Sequence, residues 1–136
     1  MPKTRAYDDP VTRTEPEVSA EDREKILASA RDYIEGWLDG DATRMARCLH
    51  PALMKRESIA ADPSAESMTR DQMIEATREG SGRKLERPYE VSLLDAFGDI
   101  ATVSVLSSRY MDYLHVARTG SEWLLLNVLW QRRTGR

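Results

Sequence analysis

The sequence lacks several features that mark whole classes of protein. Cys48 is the only cysteine among the 136 residues, so no intrachain disulfide can form, and this absence favours a reducing cytoplasm. No apolar run approaches the roughly 20 residues that a membrane span requires, and residues 1–10 are charged and lack the apolar stretch of a signal peptide. The sequence therefore predicts a cytoplasmic protein with no membrane segment.

Excess positive charge is also lacking. The formal net charge is -3 at pH 7, whereas non-specific binding to nucleic acid depends on an excess of positive charge. The last residues, 133–136, form a basic tail that is too short to make a nucleic-acid patch. We predict a solvated tail and no nucleic-acid partner.

Motifs for metal and cofactor chemistry are missing as well. The sequence has no His-Glu-x-x-His helix, no paired cysteines, no glycine-rich phosphate loop and no Gly-x-Ser-x-Gly elbow. Its two histidines, His50 and His115, are too far apart in sequence to form a metal site with recognisable spacing. We predict neither a metal nor a nucleotide cofactor.

The chain divides into an arm and one folded domain. Residues 1–18 carry three prolines, charges of both signs and no hydrophobic periodicity, which predicts a disordered or loosely draped arm. The remainder up to residue 132 has the length of a single domain. We therefore place the domain at residues 19–132.

Three helices are predicted in the first half of the domain. Ser19 is a suitable N-cap for a helix whose apolar residues recur at helical spacing up to Trp37, and Gly40 ends it. Asp41 caps a shorter helix that Pro51 stops. A third helix starts at a capping box, Thr69 with Gln72, and glycines at 80 and 82 break it. Residues 53–59 fit either a short strand or an extended connection.

Strands follow in the second half, where the hydrophobic period changes to two. The predicted strands are 89–93, 100–109, 110–118 and 123–131, joined by short turns at Gly98-Asp99 and Thr119-Gly120-Ser121. Short connections imply an antiparallel meander, and helices followed by strands predict an α+β fold rather than α/β.

The last strand is apolar on both faces. Strict alternation places Asn127 with Trp123, Leu125 and Leu129 on one face, and Leu124, Leu126, Val128 and Trp130 on the other. A sheet that packs on helices with one face should be polar on the other. We therefore predict a homodimer through the outer sheet face, with Leu124, Leu126 and Val128 or their counterparts buried between chains.

Asp112 is the first candidate for chemistry. It lies in an otherwise apolar and aromatic strand, on the same face as Tyr110 and Leu114. Burial there would raise the pKa of the carboxyl group and let it act as an acid or base. The alternative is a structural carboxylate held by a backbone amide or by Arg109.

Four further residues are candidates, each with a structural alternative. His50 is either a pocket base or a cation at a helix C-terminus. Tyr33 and Trp37 lie four residues apart on the apolar face of the first helix, as core or as ligand contacts. Asn127 must hydrogen-bond to the protein or to a ligand.

Short segments in a fixed order connect the chain to a known family. They are residues 33–37 (YIEGW), Gly40-Asp41, 49–51 (LHP), 97–101 (FGDIA), 111–116 (MDYLHV) and 120–125 (GSEWLL). From residue 21 to residue 132 the chain resembles the nuclear transport factor 2-like superfamily, within it the putative lumazine-binding branch close to the SnoaL-like polyketide cyclases. The resemblance implies a cystatin-like cone, in which three N-terminal helices pack in a curved, mainly antiparallel sheet, and which is usually dimeric with a cavity.

Function is left open by this resemblance, because the superfamily contains isomerases, dehydratases, cyclases and non-catalytic binding modules. Our first hypothesis is a protein that binds a small hydrophobic or aromatic molecule in a mostly apolar pocket. The alternatives are an acid/base enzyme of the isomerase, dehydratase or cyclase type, and a structural or protein-interaction module with a filled cone. In the first two, Asp112 and His50 would be the ionisable groups, and Tyr33, Trp37, Tyr110 and Asn127 the ligand contacts.

Overall fold

A computed structural model describes residues 10–134. These residues form three helices and six strands. In chain order they are α1 (Ala20–Asp39), α2 (Ala42–Cys48), β1 (Leu49–Glu57), β2 (Met68–Thr69), α3 (Arg70–Arg78), β3 (Glu90–Phe97), β4 (Ile100–Leu106), β5 (Tyr110–Thr119) and β6 (Glu122–Arg132). The predicted α+β class is confirmed.

The helix ends follow the local signals in the sequence. The side chains of Ser19 and Asp41 each accept a hydrogen bond from the backbone amide three residues later, at 3.1 and 3.0 Å. Gly40 ends α1 with φ 67°, a left-handed conformation that suits glycine. At the start of α3, Thr69 and Gln72 form both hydrogen bonds of the capping box.

The sheet has the strand order β2-β1-β6-β5-β4-β3. Strands β3 to β6 form the predicted antiparallel meander. Residues 53–59, which fitted either a short strand or an extended connection, lie mostly in the long strand β1. This strand pairs in parallel with β6 and places Lys55 opposite Val128. This pairing joins the start of the domain to its end, and β1 thereby contributes side chains to the inner face of the sheet.

A β-bulge in β6 changes which residues face the helices. Opposite consecutive residues of β5 lie Leu125 and Asn127, so Leu126 is an extra residue in β6. Beyond the bulge the alternation is reversed: Val128 is 2% exposed and Leu129 is 52% exposed. The predicted grouping of Asn127 with Leu125 on one face, and of Val128 with the outer face, is therefore wrong.

The core lies between α1 and the inner faces of the central strands. Fully burying one aliphatic side chain contributes about 1.5–3 kcal/mol, so this layer is the main source of the fold's stability. Its members from α1 and from β4 to β6 are Ile26, Ala30, Tyr33, Ile34, Leu38, Ala101, Val103, Val105, Leu114, Val116, Trp123, Leu125 and Val128.

The outer face of the sheet carries large apolar side chains that remain exposed, among them Phe97, Ile100, Tyr113 and Leu129. The described part of the arm, residues 10–18, contains neither helix nor strand. Arg13 binds it to the edge strand through a 2.6 Å ion pair with Asp95. Residues 1–9 of the predicted arm and 135–136 of the predicted tail lie outside the described residues.

No helix within residues 10–134 combines the length and the apolar character that crossing a membrane would require.

Candidate functional site

A cavity of about 210 Å³ lies between α1, α3 and the inner face of the sheet. Most of its wall is aromatic or apolar, and a few polar side chains also line it. The lining residues are Tyr33, Ile34, Trp37, Lys55, Glu57, Ala65, Glu66, Met68, Met73, Ser107, Tyr110, Asp112 and Trp130.

Lys55, Tyr33 and Asp112 form a hydrogen-bonded cluster in this wall, in which Tyr33 and Asp112 are buried and Lys55 is half-buried. The Tyr33 hydroxyl donates to Asp112 Oδ2 at 2.6 Å, and Lys55 Nζ donates to the Tyr33 hydroxyl oxygen at 2.7 Å. Tyr33 is 2% exposed and Asp112 is 8% exposed. The three side chains come from α1, β1 and β5, so tertiary packing alone brings them together.

Burial shifts the pKa of each group in the cluster. It raises the pKa of Asp112, against the opposing effects of the Lys55 ammonium and the Tyr33 hydrogen bond. It lowers the pKa of Lys55, against the attraction of Asp112. Burial and then the Asp112 charge raise the pKa of the Tyr33 hydroxyl well above its usual value. Perturbed groups that converge on one cavity are typical of functional sites.

Three aromatic rings surround the Lys55 amine. Its Nζ lies 5.2 Å from the ring centroid of Tyr33, 5.3 Å from that of Trp37 and 5.9 Å from that of Trp130. Tyr110 packs edge-on against Trp130, with the ring centroids 5.3 Å apart. The rings cover part of the amine and give the cavity flat walls.

A second depression is larger, about 790 Å³, but it is an open groove at one end of β4 and β5. Its lining includes Glu86, Glu90, Arg109, Arg132 and Arg133 and none of the hydrogen-bonded cluster. Charged residues at an open surface are well solvated, so we place the candidate site in the smaller cavity.

The comparison with protein families agrees with this architecture. Residues 21–131 match the family described as Putative lumazine-binding. The chain belongs to this family. It is thus a member of the nuclear transport factor 2-like superfamily, as its motifs predicted. No curated protein matches the sequence.

Solved structures of other proteins have the same fold as this chain, although their sequence identity to it is low. An NTF-2 like protein of unknown function from Silicibacter pomeroyi DSS-3 has a TM-score of 0.72 at 17% identity, over 85% of this chain and all of that one. A ketosteroid isomerase-like protein from Erwinia carotovora atroseptica SCRI1043 has 0.65 at 13%, over 85% and 99%. A Nostoc punctiforme PCC 73102 protein with a cystatin-like fold has 0.65 at 10%, over 88% and 97%. The cystatin-like fold is confirmed.

Four of the sequence-predicted site residues line the cavity of this family member: Tyr33, Trp37, Tyr110 and Asp112. Asp112 occupies the inner face of β5, and its partner is the Tyr33 hydroxyl rather than Arg109, which is exposed. The tyrosine thus meets the buried carboxylate and stabilises its charged form.

His50 and Asn127 do not reach the cavity. His50 lies at the start of β1, because the chain passes from α2 directly into a strand. There its Nδ1 accepts a hydrogen bond from the Ala52 amide at 2.9 Å. Asn127 is exposed on the outer face, 3.4 Å from His115 Nδ1, because the bulge reverses the alternation. These positions correct the expectation that both residues are pocket groups.

Lys55 and Trp130 are two of the site residues that the sequence reasoning missed, as it did Glu57 and Glu66. Lys55 follows the buried Leu53 by two positions in β1, so a firm strand assignment for residues 53–59 would have placed it on the inner face. Strict alternation places Trp130 on the outer face, and only the bulge turns it inward.

Proposed function

We propose that this protein binds one small, largely apolar molecule in the cavity, with a polar group of the ligand at the Lys55–Tyr33–Asp112 cluster. The observation that carries the proposal is the convergence of a few buried polar groups on an otherwise apolar, aromatic cavity, the usual composition of small-molecule sites. The family membership supports the same reading, because the family is described by a small ligand.

The volume and charge of the cavity limit the ligand. A cavity of about 150 Å³ holds benzene, so about 210 Å³ fits a single substituted ring. Three carboxyl groups, those of Glu57, Glu66 and Asp112, line the cavity together with one lysine. We therefore expect a neutral ligand with a hydrogen-bonding group rather than an anion.

Thermal shift and native mass spectrometry with benzyl alcohol and phenol test the proposal. Asp112→Asn should keep the fold and weaken binding about tenfold or more, because a hydrogen bond to a charged group contributes roughly 1.5–3 kcal/mol. Asp71→Asn is the matched control, since Asp71 is 92% exposed at the start of α3. Normal binding by Asp112→Asn would contradict the site assignment.

A second candidate function is acid/base catalysis of the isomerase, dehydratase or cyclase type. The observation in its favour is that a proton acceptor, Asp112, and proton donors, Tyr33 and Lys55, meet in one cavity. Such an enzyme would exchange a carbon-bound hydrogen of its ligand with solvent. NMR in D₂O should then show deuterium in the ligand with the wild type and not with Asp112→Asn, and equal rates in both would exclude the idea.

We also propose that two copies associate through the outer face of the sheet. Apolar side chains are exposed there, with Leu129 52% and its cross-strand neighbour Tyr113 46% exposed, and Ile100 62% exposed further along β4. Leu129→Glu should shift the sedimentation coefficient from dimer to monomer at micromolar concentration. Ile59→Glu is the control, because Ile59 is 73% exposed but lies in the loop after β1. Wild-type protein that sediments as a monomer would refute this interface.

A cytoplasmic location remains a prediction that rests on the single cysteine. Cys48 is buried and its thiol donates to the Met45 carbonyl at 3.3 Å. Fractionation of cells that express the tagged protein would test it.

A further inference from the structure

We propose that Lys55 is a nucleophilic amine that forms an imine with an aldehyde or ketone group of a small aromatic ligand. The inference rests on the proposed function, because it concerns the same cavity and names the chemical class that the cavity takes. It assigns covalent chemistry to a residue that the acid/base hypothesis uses only as a proton donor.

The first support is the position of the amine. Lys55 lines the cavity, and its Nζ is bonded to an uncharged partner, the Tyr33 hydroxyl, at 2.7 Å. Among the ion pairs within residues 10–134, none involves Lys55. Partial burial of an ammonium group without a paired carboxylate is costly, and a lysine that only stabilised the fold would be expected at a carboxylate or at the surface.

The second support is the environment of the amine. Aromatic rings of Tyr33, Trp37 and Trp130 surround it, and the Met73 sulfur lies 3.7 Å away. Lysines in such desolvated sites are the ones that form Schiff bases with carbonyl compounds. The same rings would flank a flat aromatic aldehyde whose carbonyl carbon points at Nζ.

The charged groups around Lys55 act in two directions. Burial lowers the pKa of Lys55 and favours the neutral amine, whereas Asp112 opposes that shift. The titratable groups that face the cavity are Tyr33 from α1, Asp112 and Tyr110 from β5, Glu57 from β1 itself and Glu66 from the segment before β2. The balance leaves the amine easier to deprotonate than an exposed lysine.

The reaction is balanced without an oxidant, a reductant or a further reactant. The lone pair of Nζ forms the C–N bond, the π electrons of the carbonyl move to its oxygen, and one proton passes from nitrogen to that oxygen to give a carbinolamine. The C–O bond then breaks, the nitrogen gives up its second proton, and the oxygen leaves as water. The Tyr33 hydroxyl, which joins Lys55 to Asp112, is placed to pass these protons.

Reductive trapping tests the inference on the full chain. The protein is incubated at neutral pH with benzaldehyde and sodium cyanoborohydride, and peptide mapping follows the benzyl group on each of the four lysines in the sequence. Lys55 should be labelled several-fold faster than Lys84, which is exposed. Lys55→Arg should lose the fast adduct and Lys84→Arg should keep it. The mapping of the wild type decides the question even if a variant fails to fold.

A parallel thermal-shift titration with benzyl alcohol, which has the same ring but no carbonyl, separates the two proposals. Stabilisation by benzyl alcohol with labelling of Lys55 no faster than of Lys84 would overturn the imine and leave the binding function standing. Absence of both stabilisation and the Lys55 adduct would overturn both. Fast labelling of Lys55 supports the imine whether or not benzyl alcohol binds.

Discussion

Replacement of Tyr33 by phenylalanine removes one oxygen atom from the centre of the hydrogen-bonded cluster. That oxygen donates a hydrogen bond to Asp112 at 2.6 Å and accepts one from Lys55 at 2.7 Å. The ring itself stays in the core, so no large cavity forms. The substitution therefore isolates the contribution of the two hydrogen bonds.

The expected loss is large for the removal of a single atom. A hydrogen bond to a charged group contributes about 1.5–3 kcal/mol, and a buried group left without its partner costs about 1–3 kcal/mol. Because Lys55 and Asp112 share one partner atom, they can move towards each other and recover part of the loss. We expect a decrease of about 2–4 kcal/mol in the free energy of unfolding and of about 8–16 °C in Tm.

Urea unfolding followed by circular dichroism measures this change, with an unchanged m-value as evidence that the folded state is intact. The decrease in the free energy of unfolding should be greatest at neutral pH and smaller at acidic pH. The Tyr33 hydrogen bond stabilises the Asp112 carboxylate, so its contribution disappears once the pH falls below the pKa of Asp112 in the folded state. Ser81→Ala is the control, because it removes one hydroxyl oxygen from an exposed side chain away from the cluster.

The reasoning would be refuted if Tyr33→Phe lowered the free energy of unfolding by no more than about 0.5 kcal/mol, the range of ordinary surface substitutions. A loss that is independent of pH would refute it as well. A double-mutant cycle with Lys55→Met adds a direct measure: a coupling energy of about 0.5–3 kcal/mol is expected for residues of one network.

Two further predictions concern the frame around the site. Gly82→Ala should destabilise the fold by about 1–3 kcal/mol in urea unfolding, because the added Cβ would lie 2.6–2.7 Å from indole atoms of Trp37. Ser81→Ala is the control. Equal stability of both variants would contradict this packing. The Arg118 guanidinium holds the pKa of Asp22 at about 2, below the ~3.9 of the unfolded chain. The stability that results from this shift is present above about pH 3.9 and is lost as the pH falls towards about 2. Asp22→Asn should therefore lower the free energy of unfolding at neutral pH and make it less dependent on pH in the acid range. An unchanged pH dependence in the acid range would contradict this prediction.

Elements with short-range signals were predictable from the sequence. The capping box at Thr69, the glycine at position 40 and the period-two strands all act within a few residues, so each can be recognised without knowledge of the fold. The inward position of Asp112 follows from the same logic, because it shares the alternation of Tyr110 and Leu114. Tyr33 likewise follows from the apolar face of α1.

The tertiary structure decided which residues complete the site. The single extra residue at Leu126 reverses the faces of β6, and a strand that is apolar on both faces shows no sign of the reversal in its sequence. Lys55 reaches the cavity because β1 pairs in parallel with β6, a strand more than 60 residues further along the chain. Hydrophobic periodicity is a local property and does not specify which distant strands pair. The cluster of Lys55, Tyr33 and Asp112 is therefore a product of strand pairing and packing, and the sequence by itself determined only the elements that carry its members.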